Sequence, residues 1–285
     1  MRMTALRVPS AALLRFALAL LAAALPLAAQ AEKVGFDSDG TPITAHWLPT
    51  AASGARPVIV ALHGCSGLYR RDGVTLEERY TDYAARFNGE GMHVLLPDSF
   101  GSRGSGSICA LRAGERRITV ETRRGDVLAA LAWLRQRPDV DPQRIVLLGW
   151  SNGGSTLLSA LNSARATHAD VAGAIAFYPG CAAHLKQPYA AAAPLLMLLG
   201  ADDDWTPPAP CERLMARTRE AQPALDLVLK SYPDSRHGFD SRRPVRFRSD
   251  VPGGVNPAGV HVGGNPQARA EALAEMDRFL EKLLK

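Results

Sequence analysis

The residues best placed to do chemistry are Gly149-Trp150-Ser151-Asn152-Gly153, a Gly-x-Ser-x-Gly pentapeptide with a further glycine, Gly154, behind it. It stands between an apolar run, residues 145–148 (IVLL), and a helical pattern over residues 152–161. That context fits a nucleophile elbow, a turn so sharp that the positions two before and two after the serine must be small. Such a turn lifts the hydroxyl above a sheet and points it at the N-terminus of the next helix, where negative charge is stabilised. A serine hydroxyl is a poor nucleophile at neutral pH; it needs a base, and the base needs a carboxylate to orient it. In an elbow of this kind the chain order is serine, acid, histidine.

Candidate acids follow the apolar run at 195–199, in Gly200-Ala201-Asp202-Asp203-Asp204-Trp205. Three adjacent carboxylates cannot all serve, because like charges at that density are costly unless some face water. The residues alone leave Asp203 and Asp204 both open. Candidate bases are His237, in Tyr232-Pro233-Asp234-Ser235-Arg236-His237-Gly238-Phe239, and the more distant His261. His237 lies just beyond a strand pattern, where an α/β sheet collects its site.

Acyl transfer also needs donors for the developing oxyanion. One is the backbone N–H of Asn152; the other belongs to the loop after an earlier strand. That loop is His63-Gly64-Cys65-Ser66-Gly67, and the residue after His-Gly, Cys65, is the expected donor. Aromatic residues near these positions, Trp150, Trp205, Phe100 and Tyr178, are candidates for a substrate pocket.

The elements that must position this set alternate between short apolar runs and helical patterns. Strands are expected at 44–48, 58–62, 92–96, 145–148, 171–177, 195–199 and 225–229. Helices are expected at 72–88, 119–137, 152–161, 207–220 and after Asn265-Pro266. Fully apolar runs such as VIVAL read as strands buried on both faces. The rhythm predicts a single α/β domain, a mostly parallel sheet with helices on both faces. Residues 242–264, rich in Gly, Pro and Arg, form the longest expected loop.

A chain that is 47% hydrophobic and 21% charged is too apolar to be disordered. Of its formal charge of +5, three come from Arg2, Arg7 and Arg15, leaving +2 on the rest. A remainder so near neutral does not suggest a nucleic-acid binder. No Cys/His cluster has zinc spacing, and no metal or organic cofactor is implied.

HGCSG after VIVAL, GWSNGG after IVLL, Gly-x-x-Asp-x-x-x-Pro after LLMLL and Tyr-Pro-x-x-x-His-Gly-Phe together resemble the α/β-hydrolase superfamily. More narrowly they resemble its dienelactone hydrolase-like family, from about Val58 to the last helix. The resemblance implies a hydrolase whose acid stands three residues after Gly200 and four before Pro207, which is Asp203, with His237 as base. It implies a single α/β-hydrolase domain over 32–285. The dienelactone hydrolases proper carry Cys at the elbow, whereas this chain has Ser151; that favours a general serine esterase acting on a small-molecule or polymer ester. A serine peptidase and a non-catalytic binding protein on the same scaffold are the alternatives.

Residues 1–31 read as a secretory signal: a basic start, an apolar run at 16–25, Pro26, and Ala29-Gln30-Ala31 as the cleavage site. Export to the periplasm or medium follows, with no membrane span after cleavage. In an oxidising compartment the four cysteines can form two disulfides. The order of strands that the resemblance implies pairs Cys65 with Cys109 and Cys181 with Cys211.

Overall fold

A computed structural model describes residues 31–285; the expected signal segment lies outside the described residues except for Ala31. Eight strands form one sheet, in the order β1-β2-β4-β3-β5-β6-β7-β8. They are β1 (Glu32–Ser38), β2 (Thr41–Leu48), β3 (Arg56–Leu62), β4 (His93–Pro97), β5 (Val140–Trp150), β6 (Gly173–Phe177), β7 (Leu195–Gly200) and β8 (Leu227–Tyr232). The pairs β1–β2 and β2–β4 are antiparallel and the other five are parallel.

Alternation along the central strands sends side chains to two separate cores. Val58, Val60 and Leu62 of β3 pack with α2 (Val120–Leu134), α3 (Asn152–Leu161) and α4 (Pro208–Ala221). Ile59 and Ala61 face the other way, toward α1 (Glu78–Gly89) and α5 (Pro266–Leu284). Because both faces are covered, β3, β6 and β7 are apolar and buried almost throughout, which is why each reads as a continuous apolar run rather than an alternating one.

Three elements differ from the sequence expectation. The helix expected from residue 72 begins at Glu78. Asp72 instead closes a turn, its carboxylate accepting from the N–H groups of Val74 and Thr75, and Tyr69 pairs with Leu76 across it. The first strand, β1, was not expected; its edge position leaves most of it exposed, so no apolar run announces it. The 242–264 segment is not only loop, since β9 (Arg246–Arg248) and β10 (Val260–Val262) pair antiparallel within it.

No helix among the described residues is long and apolar enough to cross a membrane. Two disulfides are present, Cys65–Cys109 and Cys181–Cys211.

Candidate active site

β5 runs into α3 through a single residue, Ser151, whose φ of 53° is unusual for any residue other than glycine. The turn is held by Ser151 N–H donating to Phe177 O at 2.9 Å and by Ser155 N–H donating to Ser151 O at 2.9 Å. Glycine is required on both sides. A Cβ on Gly149 would stand 2.5 Å from Gly153 O, and one on Gly153 would collide with the carbonyl oxygens of Leu62 and His63.

His237, on the loop after β8, places Nε2 2.9 Å from Ser151 Oγ. Its Nδ1 lies 2.7 Å from Asp203 Oδ2, on the loop after β7. Asp203 and His237 are each 4% exposed, so this pair is shielded from bulk water. Asp203 Oδ1 accepts from the N–H groups of Trp205 and Thr206 at 2.9 and 2.8 Å. The Thr206 hydroxyl donates to Asp203 Oδ2 at 2.9 Å. A carboxylate so fully supplied with donors is fixed in place, and it orients the imidazole with its Nδ1–H toward Asp203. The His237 ring packs edgewise with Tyr178 and tilted against Trp205, with centroids 4.7 and 4.5 Å away.

Asp204 and His261 are also brought together, but with each other. His261 Nδ1 lies 2.7 Å from Asp204 Oδ2, and His261 N–H donates to Asp204 Oδ1 at 2.9 Å. This pair ties β10 to the acid loop. Burial raises the Asp204 pKa, but the side-chain and backbone bonds from His261 outweigh it and hold the carboxyl below its usual range.

The N–H groups of Cys65 and Asn152 donate to no protein acceptor among the described residues. Asn152 is the first residue of α3, where the amide is free by helix geometry. The loop carrying Cys65 is closed by Gly67 N–H donating to Gly64 O at 3.2 Å, and the Cys65–Cys109 bridge ties it to the segment after β4.

A cavity of about 1520 Å³ opens over Ser151 and His237, and Cys65, Phe100, Tyr178 and Trp205 line it. Its outer wall is carried by the β9–β10 segment, including Arg246 and Phe247. Trp150 does not line it. The expectation of a pocket role for Trp150 is corrected: its side chain is fully buried on the opposite side of the elbow, packed against Tyr80, Tyr83 and Phe177, with Nε1–H donating to Asp240 at 3.0 Å.

Sequence reasoning missed three contributors. Thr206 braces Asp203, and its only sign in the sequence is its place between Trp205 and Pro207. Asp240 is a buried hub that accepts from Tyr178 Oη at 2.6 Å, Trp150 Nε1 and Tyr83 Oη at 3.1 Å, with Arg79 at 3.3 Å. Arg123, on α2, is buried beneath the elbow.

A strand-serine-helix turn, with an imidazole and a carboxylate converging on it from the C-terminal ends of β8 and β7, defines a protein of the α/β-hydrolase fold. The dienelactone hydrolase family profile matches residues 44–284, and the chain belongs to that family. Solved structures share the fold. The dienelactone hydrolase-like promiscuous phosphotriesterase P91 from metagenomic libraries is 19% identical, with a TM-score of 0.67 over 89% of this chain and 98% of its own. The butyrate-bound thermophilic esterase Est2 of Thermogutta terrifontis is 18% identical, with a TM-score of 0.61 over 88% and 94%. Among curated proteins, the quorum-quenching protein AidA of Acinetobacter baumannii (strain MDR-ZJ06) is 32% identical over 137 residues, 46% of this chain. That match spans only 40% of the relative's length.

Proposed function

We propose that the protein is an exported serine esterase that hydrolyses carboxylic esters through an acyl-enzyme. The observation that carries this reading is the unbroken bond series Ser151 Oγ–His237 Nε2 and His237 Nδ1–Asp203 Oδ2, at 2.9 and 2.7 Å. Ser151 attacks the ester carbonyl while His237 takes its proton. The negative charge that forms on the carbonyl oxygen is held by the N–H groups of Cys65 and Asn152. His237 then returns the proton to the departing alcohol, and Asp203 stabilises the imidazolium between the two transfers. Water enters the same site and releases the acid by the reverse sequence.

Membership of a hydrolase family and the esterase among the fold neighbours support this reading. Export is supported by the signal-like residues 1–31 and by two disulfides, which persist in oxidising compartments. N-terminal sequencing of exported protein is expected to begin at Glu32; an intact N-terminus would contradict cleavage there.

The functional test is hydrolysis of p-nitrophenyl esters from acetate to octanoate by the wild type and by Ser151→Ala. Loss of roughly a million-fold in kcat in the variant is expected, the scale of nucleophile removal in serine hydrolases. Equal rates in the two proteins, or none in either, would overturn the proposal.

A further inference from the structure

Beneath the elbow lies a guanidinium that the ester mechanism above does not use. Arg123 is 1% exposed. Its two terminal nitrogens reach two separate elements, the start of α3 and the loop after β3. One donates to Asn152 Oδ1 at 2.5 Å, on the residue directly after Ser151. The other donates to His63 O at 2.8 Å, in the loop that carries Cys65. The plane of the group lies near the Phe100 ring, 5.0 Å from its centroid, and that ring packs edgewise on His63 at 4.5 Å.

The charge has no direct counter-ion. Among the described residues no carboxylate forms an ion pair with Arg123; Asp126, one turn along α2, is taken by both terminal nitrogens of Arg103 at 2.9 and 2.8 Å. The Arg123 Nε–H has no partner among the described residues. Burial pulls its pKa down to about 10, which leaves it charged at neutral pH. Asp126 and Asp98 act on it only from a distance, and a buried cation with no directly paired carboxylate is costly to folding. A cost of that kind is intelligible where negative charge appears during the reaction, because preorganised positive charge in a dry site then acts at full strength.

We propose that Arg123 is the positioning residue of the oxyanion site: it clamps the Asn152 and Cys65 donors at a fixed separation, and its charge favours the tetrahedral intermediate over bound ester. This rests on the ester-hydrolase reading. The acceptors it holds belong to two separate elements, the start of α3 and the loop after β3. Gly153 already packs on the Leu62 and His63 carbonyls, and Arg123 adds a polar tie that fixes the Asn152 side chain and the His63 carbonyl relative to each other. Arg123 does not line the cavity, so its loss is expected to leave binding of the ground-state ester unchanged.

The test compares wild type, Arg123→Lys and Arg123→Met on p-nitrophenyl acetate, with active sites counted by stoichiometric phosphylation with paraoxon. Counting sites separates misfolding from weakened chemistry. Arg123→Met is expected to lose about a hundredfold in kcat per titrated site, the lower end for loss of an oxyanion donor, with KM within about twofold. Arg123→Lys is expected to fall between, because an ammonium keeps the charge but cannot span both acceptors. Inhibition by an alkylboronic acid, which forms a tetrahedral adduct on serine, is expected to weaken in step with kcat. A kcat per site within about threefold of wild type in Arg123→Met would overturn the proposal. So would losses shared equally by kcat and ground-state binding.

If Arg123→Met fails to fold, Asn152→Ala decides. It removes one acceptor and leaves the backbone donor, and a fall of about tenfold in kcat at constant KM is expected; unchanged kcat would overturn the clamp. A wild type that turns over no ester removes the ester reading and this inference with it. Active wild type beside unaffected variants removes this inference alone.

Discussion

Asp203 and Asp204 are neighbours in sequence, yet they answer to different histidines: Asp203 lies 2.7 Å from His237, and Asp204 lies 2.7 Å from His261. Only the first histidine reaches Ser151. The second pair fastens β10 to the acid loop, and Gly263 N–H donates to His237 O at 3.0 Å beside it. The two carboxylates should therefore separate cleanly by mutation. Asp203→Asn is expected to lose about ten-thousandfold in kcat, as when the orienting acid of a serine triad is neutralised. Asp204→Asn is expected to stay within about tenfold of wild type. Steady-state kinetics on one soluble ester checks both, and the reverse ranking would exchange their roles.

The elbow glycines are predicted to be irreplaceable for steric reasons. A methyl group on Gly153 would meet main-chain oxygen, which has no flexible end to move aside. Gly153→Ala is expected to lower stability by more than about 3 kcal/mol, the range of severe overpacking. Chemical denaturation measures this directly; a midpoint unchanged from wild type would contradict the tight turn.

The Cys65–Cys109 bridge joins residues 44 apart in sequence and anchors the loop whose Cys65 N–H is proposed as an oxyanion donor. Replacing both with serine is expected to cost at most about 4 kcal/mol, the chain-entropy limit for such a loop. A Tm equal to that of wild type under oxidising conditions would count against a bracing role.

Acid should weaken the fold. Burial holds His46, His63, His93 and His184 below the usual histidine value, and Arg123 pushes His63 further in the same direction. Each therefore takes up a proton more readily unfolded than folded. Their contribution is fully present above about 6.5 and is lost as pH falls below it. Fully buried His63 alone gives a slope of about 1.4 kcal/mol per pH unit in that window. Thermal melts at pH 7.5 and 5.0 should show a lower Tm at pH 5.0; a flat or rising Tm would contradict this.

Much of the fold was legible because two-sided burial leaves long apolar runs, as in VIVAL, IVLL and LLMLL. The family resemblance then supplied what periodicity does not, the choice of Asp203 and the pairing of the cysteines. What stayed hidden has physical causes. β1 sits at the sheet edge, where only Val34 and Phe36 offer apolar side chains, too short an alternation to stand out. Trp150 was ambiguous because a residue beside an elbow serine can face the cleft or the core; the buried Asp240 acceptor settles it inward. Arg123 does carry a signal in the sequence: it stands four residues before Val127 and so on the apolar stripe of α2. A cation on that stripe must be buried and hydrogen-bonded. Its partners, Asn152 and His63 O, are 29 and 60 residues distant and only the tertiary fold shows them.

The most direct test of the central claim, that Ser151 is the nucleophile, is peptide mass mapping after treatment with paraoxon. A diethylphosphoryl group is expected on the peptide containing Ser151, with complete loss of ester hydrolysis, and on no peptide of Ser151→Ala. Inactivation with the label elsewhere, or full activity with Ser151 labelled, would contradict the account.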